Sequence, residues 1–146
     1  MGMLDWFKQI AGGREAALPD EEGSAELAGL DFKTAIDAHM KWKVRLEAVI
    51  DGRSEETLEV AVVSCDNRCT LGQWLEGAGH DTFGADAVFG ELVERHRDFH
   101  REAGAVLELA QAGNREAALK LLRGDYYRNS ERVKVLLARL YAEHQT

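Results

Sequence analysis

The sequence predicts an all-α protein, an up-down helical bundle of the four-helix type, on three observations. Hydrophobic residues make up 45% of the 146-residue chain and a single Pro interrupts them. Ala, Leu, Glu, Arg and Lys, all strong helix formers, dominate the long segments. Apolar residues recur with helical period in three long stretches joined by short polar connections. A chain of this length buries a core without needing disulfides.

Taken in order, Met1 to Ile10 is a short amphipathic stretch carrying Met3, Leu4, Trp6, Phe7 and Ile10. It reads as a helix that docks on the body or on an oligomer partner. Membrane-surface attachment is the minor reading, because Lys8 is its only basic residue. Leu18-Pro19-Asp20-Glu21-Glu22-Gly23-Ser24 reads as a linker, so the expected organisation is an N-terminal segment over residues 1–23 and a helical body over 24–146.

From Leu30 to Ile50, Phe32, Ala35, Ile36, Trp42, Leu46, Val49 and Ile50 keep helical period until Asp51-Gly52 ends the run. Ser54 with Glu55 and Glu56 behind it predicts the start of a second, shorter helix through Val62 and Val63. A polar loop, Ser64 to Arg68, leads to a short helix over Cys69 to Leu75, ended by Gly77-Ala78-Gly79. The longest helix is expected from Ala85 to Ala112, with Gly113-Asn114 breaking it and Asn114 capping the last one. In that last segment Leu119, Leu122, Tyr126, Val133, Leu137 and Leu140 recur, and Gly124 predicts a kink.

The formal charge of −8 and pI near 5.1 argue against nucleic acid and against an anionic membrane face, since no basic patch is present. The acidic groups are dispersed and read as solvated helix faces. No signal-peptide pattern and no bilayer-spanning apolar run is seen, so the expected location is the cytoplasm. Two cysteines four apart, Cys65 and Cys69, do not form a secreted disulfide framework; in a reducing compartment they are ligands or redox groups.

The chemistry gathers on polar residues placed on apolar faces. His96 and His100 sit four apart within the stripe Phe89, Leu92, Val93, Phe99, Ala103, Val106, so both imidazoles look inward. His39 shares the inward seam of Ile36 and Leu46, and Cys69 begins the short helix. Singly, each His reads as a hydrogen-bonded core residue. Together, three imidazoles and one thiol are the donor set zinc prefers, and one shared metal explains four polar groups that would each be costly to bury. Zinc is favoured over iron because di-iron bundles use Glu ligands and Glu-x-x-His pairs. A dication beside it would hold Cys69 as thiolate.

Three blocks make a resemblance specific: Ala38-His39-Met40-Lys41-Trp42-Lys43-Val44-Arg45-Leu46, Asp66-Asn67-Arg68-Cys69-Thr70-Leu71-Gly72-Gln73-Trp74, and His96-Arg97-Asp98-Phe99-His100. With intervals of 30 residues from His39 to Cys69 and 27 from Cys69 to His96, residues 31–140 resemble the chemoreceptor zinc-binding domain family. The resemblance implies a dimeric bundle in the bacterial cytoplasm, with Zn²⁺ held by His39, Cys69, His96 and His100. It also implies control of a chemoreceptor or a diguanylate cyclase by metal occupancy or by Cys oxidation, hypochlorous acid being one such oxidant. These 146 residues hold no signalling domain of their own, so the output is expected to pass through a separate protein of a chemotaxis or cyclic-di-GMP pathway, or the chain buffers zinc.

Three function classes follow: a zinc-dependent sensory module, a purely structural zinc-stabilised dimerisation unit, and a zinc or di-iron enzyme. Four protein ligands leave no open position for a substrate water, and the nearest acids, Glu94 and Asp98, face away from the His pair, so no enzyme is expected. His80, in a Gly-rich loop, and His144 are spare. Cys65 is a candidate resolving thiol for an oxidised Cys69, or else a small buried hydrophobe.

Overall fold

The structure is a computed structural model that describes residues 3–13 and 25–144. It is all-α, with one small hairpin. The expected linker, Leu18 to Ser24, lies outside the described residues.

Helix α1 (Met3–Ala11) buries Trp6, Phe7 and Ile10. Strands β1 (Glu26–Leu27) and β2 (Leu30–Asp31) pair antiparallel, Leu27 opposite Leu30. Helix α2 (Phe32–Ile50) starts where the Asp31 carboxylate accepts the Thr34 N–H at 3.1 Å. After α3 (Val60–Val63) and one 3₁₀ turn (Asp66–Arg68) come α4 (Thr70–Glu76) and α5 (Ala78–Phe83). Helix α6 (Ala87–Gln111) is the longest, α7 (Arg115–Leu121) returns along it, and a π turn (Leu122–Tyr126) joins α7 to α8 (Tyr127–Glu143).

Helix α6 is the axis of the bundle: α2, α3, α7 and α8 all pack on it, and α1 lies along α8. The amphipathic stretch at the N-terminus therefore docks on the body. Phe7 sits 4.2 Å from the Tyr141 ring, Tyr141 5.5 Å from Phe32, and Phe32 5.5 Å edge-on to Trp74, centroid to centroid. One aromatic file thus runs from α1 through α8 and α2 to α4.

Helix ends follow local chemistry. Asp86 Oδ1 accepts from Val88 N–H at 2.7 Å and Phe89 N–H at 3.4 Å, and its other oxygen meets His144 Nε2 at 3.0 Å. Asp86→Ala should lower stability by about 1 kcal/mol, a cap's usual contribution, read as a small fall in melting temperature. Asn114 caps α7 through the Ala117 N–H at 3.3 Å. Gly124 bends the chain as expected: at φ −107°, ψ −107° it leaves the helical region inside the π turn.

Two expectations are corrected. No helix begins at Ser54; α3 starts only at Val60, and the Ser54 hydroxyl accepts the Glu56 N–H instead. Tertiary partners hold this stretch out of a helix, since Glu56 pairs with Arg45 on α2 and the Gln111 amide donates to the Leu58 carbonyl at 2.8 Å. Nor does Gly77-Ala78-Gly79 open a loop: α5 follows α4 directly, and His80 is an exposed residue within it. A Cβ on Gly79 would stand 2.7 Å from the Trp74 ring, so the glycine lets α5 fold over that indole. The hairpin was not foreseen, because its turn holds Ala28 at φ 52°, a conformation Ala rarely adopts, beside Gly29 at 86°. The Ala28 carbonyl accepts the Trp74 indole N–H at 2.8 Å, a contact 46 residues distant in sequence.

Candidate metal centre

The centre is assembled from three helices. On α2, His39 falls on the face that also buries Ala35, Ile36 and Leu46, and its Nδ1–H donates to the Ala35 carbonyl one turn back at 2.7 Å. On α6, His96 and His100 share the buried face with Leu92, Phe99 and Ala103, and His100 Nδ1–H donates to the Val63 carbonyl on α3 at 2.9 Å. Those two bonds fix the tautomer, leaving the Nε2 lone pairs of His39 and His100 for another partner.

Cys69 is the N-cap of α4, its Sγ accepting the Gly72 N–H at 3.2 Å and lying 3.5 Å from the Asp66 carbonyl. The pattern Cys-x-Leu-Gly-x-Trp then has a physical reading. Cys69 caps the helix, Leu71 and Trp74 bury its inner face, and Gly72 lies where the Asp66 carbonyl comes too close for any side chain.

The four expected residues converge. One ligand atom from each of His39, Cys69, His96 and His100 lies within 4.8 Å of the others. Cys69 Sγ is 3.4 Å from His96 Nε2 and 3.5 Å from His100 Nε2, and the two imidazole nitrogens are 3.1 Å apart. A tetrahedral zinc with its usual bond lengths separates its nitrogen and sulfur ligands by about 3.3–3.6 Å. The fit has a second mark: His39 Nε2 is buried and has no hydrogen-bond partner among the described residues. A buried polar atom without a partner is costly, and a cation at the centre of the four would satisfy it.

Burial sets the electrostatics. Desolvation, with His100 opposing as a like charge, lowers the His39 pKa to about 4 against the bond to Ala35. Burial and the neighbouring imidazoles take His96 to about 2. His100 is also lowered, by burial, with the Val63 carbonyl and Asp66 acting the other way. All three are therefore neutral near pH 7, the form that binds metal. Burial pushes the Cys69 thiol up, against the lowering effect of the Gly72 and Leu71 N–H groups. Thiolate at this position thus depends on the metal's own charge.

Because the folded His39 pKa lies below the value of 6.5 for a free imidazole, its contribution is complete above pH 6.5 and is lost as pH falls toward 4. Metal-free protein should accordingly lose about 3 kcal/mol over that window from His39 alone, measurable by urea denaturation at pH 7 and pH 4.5. His96 extends the loss to lower pH.

Glu94 is exposed and Asp98 pairs with Arg95 and Arg101, so both acids face away from the imidazoles, as expected. Cys65 is exposed rather than buried. His144 is held by Asp86, far along the chain from the four.

Sequence reasoning missed the groups behind the ligands. The Ala35 and Val63 carbonyls carry no side-chain signal. Gly104 did leave one: it lies four residues beyond His100, on the same face, where a Cβ would stand 1.9 Å from the Ser64 hydroxyl oxygen. That close approach seats the end of α3 against α6, next to the Val63 carbonyl that orients His100.

No helix among the described residues is long and apolar enough to cross a membrane. No curated protein and no solved structure matches the chain. The family model of the chemoreceptor zinc-binding domain does, over a stretch that opens on His39 and takes in Cys69, His96 and His100. This is a family of sensory and regulatory modules rather than of enzymes. The match covers residues 39–107 of this chain, and the metal of that family is zinc.

Proposed function

We propose that the chain is a zinc-dependent regulatory protein that binds one Zn²⁺ through His39, Cys69, His96 and His100. Metal occupancy, or oxidation of Cys69, then modulates a separate signalling protein of a chemotaxis or cyclic-di-GMP pathway. The observation that carries this reading is the convergence of three buried imidazoles and one thiol to within 4.8 Å. Zinc tethers α2, α4 and α6 together; its loss releases the N-terminal end of α4 at Cys69, while Trp74 keeps the rest of that short helix packed. A bistable element of that kind is what a switch requires.

The protein acts in the cytoplasm as a homodimer, a reading supported by Met40 and Val44, one turn apart on α2, the latter 66% exposed. Oxidation of Cys69 removes a zinc ligand, since an oxidised sulfur coordinates poorly. Cys65, exposed and four residues away, is the resolving thiol in this scheme. Oxidant treatment followed by mass spectrometry should find a Cys65–Cys69 bond, and its absence removes Cys65 from the mechanism.

The test of the metal centre is elemental mass spectrometry on untagged protein purified without chelator. Wild type should carry about one zinc per chain, and Cys69→Ala and His100→Ala should each lose it. A wild type that stays metal-free after zinc is added would leave four core polar residues and no sensor.

A further inference from the structure

Three of the four side chains, all but the fully buried His96, are not sealed. Two clefts open to solvent reach them, one of about 270 Å³ exposing Cys69 and His100, the other of about 430 Å³ exposing Cys69 and His39. They share a wall made of Trp42, Arg45, Arg68 and Cys69. Arg45 is already committed, stacked 3.8 Å over the Trp42 ring and paired with Glu56 at 2.7 Å. Asp31, which lines the larger cleft, caps α2. Asp66, the carboxylate whose charge reaches Cys69 and His100, lines neither cleft and faces Arg97 at 4.0 Å. Glu59 stands exposed along the smaller cleft alone. Arg68 differs from all of these: it lines both clefts, immediately precedes Cys69, is exposed, and has no acidic partner among the described residues.

A guanidinium without an acidic partner among the described residues stands out in a chain of net charge −8, whose overall field repels anions. A stacked indole and guanidinium beside it supply a flat, rigid wall, and the two clefts end on ligand side chains. We propose that Arg68 and the Trp42–Arg45 stack form an entry site for a small anionic zinc ligand, a carboxylate or thiolate metal carrier, through which zinc is loaded and withdrawn. The proposal rests on the metal reading above. The exchange is a substitution of one donor for another: a coordinate bond to the carrier forms as one to the protein breaks, with no change of oxidation state. Arg68 acts before that exchange by drawing the anion to the cleft, which is a rate effect rather than a change in zinc affinity.

The test compares zinc-loaded wild type with Arg68→Ala and Arg68→Glu, following zinc release with a colorimetric indicator. Two competitors are used, EDTA as the polycarboxylate and an uncharged tetrapyridyl chelator. The second-order rate constant with EDTA should fall roughly fivefold in Arg68→Glu and by less in Arg68→Ala, with the pyridyl chelator unaffected and the wild-type effect shrinking at high salt. Equal slowing with both chelators, or no slowing with EDTA, overturns the proposal while leaving the zinc site intact. A wild type that binds no zinc at the outset fails the metal reading itself, and the entry site with it.

Discussion

Gly72→Ala is expected to lose both stability and zinc. A methyl group at this position would stand 1.6 Å from the Asp66 carbonyl oxygen, 2.7 Å from its carbon and 3.1 Å from the Asn67 Cα. All three are backbone atoms, so no side-chain rotation relieves the clash; the 3₁₀ turn must move away from α4. That movement strikes Cys69 twice, because its Sγ takes the Gly72 N–H and lies against the Asp66 carbonyl. Overpacking of this kind costs about 1–3 kcal/mol, or more where backbone must shift. Thermal melting should fall by about 2–4 °C per kcal/mol, and zinc retained after dialysis against a weak chelator should drop well below one per chain. Gly90→Ala is the control, since its Cβ meets nothing within 4 Å on an exposed position of α6. It should gain up to about 1 kcal/mol from helix propensity. A Gly72→Ala protein that melts and binds zinc like wild type would show that the turn does not depend on this close approach.

Stripping the metal from wild type should leave a helical protein with a lower melting point and an accessible thiol. The core does not pass through the metal centre alone. Val106, Leu107, Val133, Leu136, Leu137 and Leu140 are fully buried on α6 and α8, where no metal ligand of α2 or α4 is needed. Far-ultraviolet circular dichroism should therefore change little. At a free zinc concentration a thousandfold above the dissociation constant, binding adds about 4 kcal/mol to the folded state, so removal should lower the melting point by roughly 8–16 °C. Cys69, half-buried at the shared wall of two clefts, should react with a thiol reagent much faster once the metal is gone. Complete unfolding without zinc would instead assign the metal a structural role and remove the switch.

The sequence by itself determined the long helices and the set of candidate ligands. Periodicity placed α2 and α6, with Asp51-Gly52 and Gly113-Asn114 at their ends, because burial of one helical face repeats every three to four residues. The same rule put His39, His96 and His100 on inward faces, and Gly124 foretold the bend after α7, since a helix-breaking residue acts locally. What tertiary structure decided are features whose partners lie far along the chain. Residues 54–59 stay non-helical because Arg45 and Gln111 hold them, against the local helix signal of Ser54-Glu55-Glu56. Ala28 takes a positive φ in a turn whose carbonyl receives the Trp74 indole. The carbonyls that orient two of the imidazoles, and Arg68 at the mouth of both clefts with no acidic partner among the described residues, belong to the same class. Main-chain acceptors carry no residue code, and a charge is free or paired only once the fold has brought its neighbours into place.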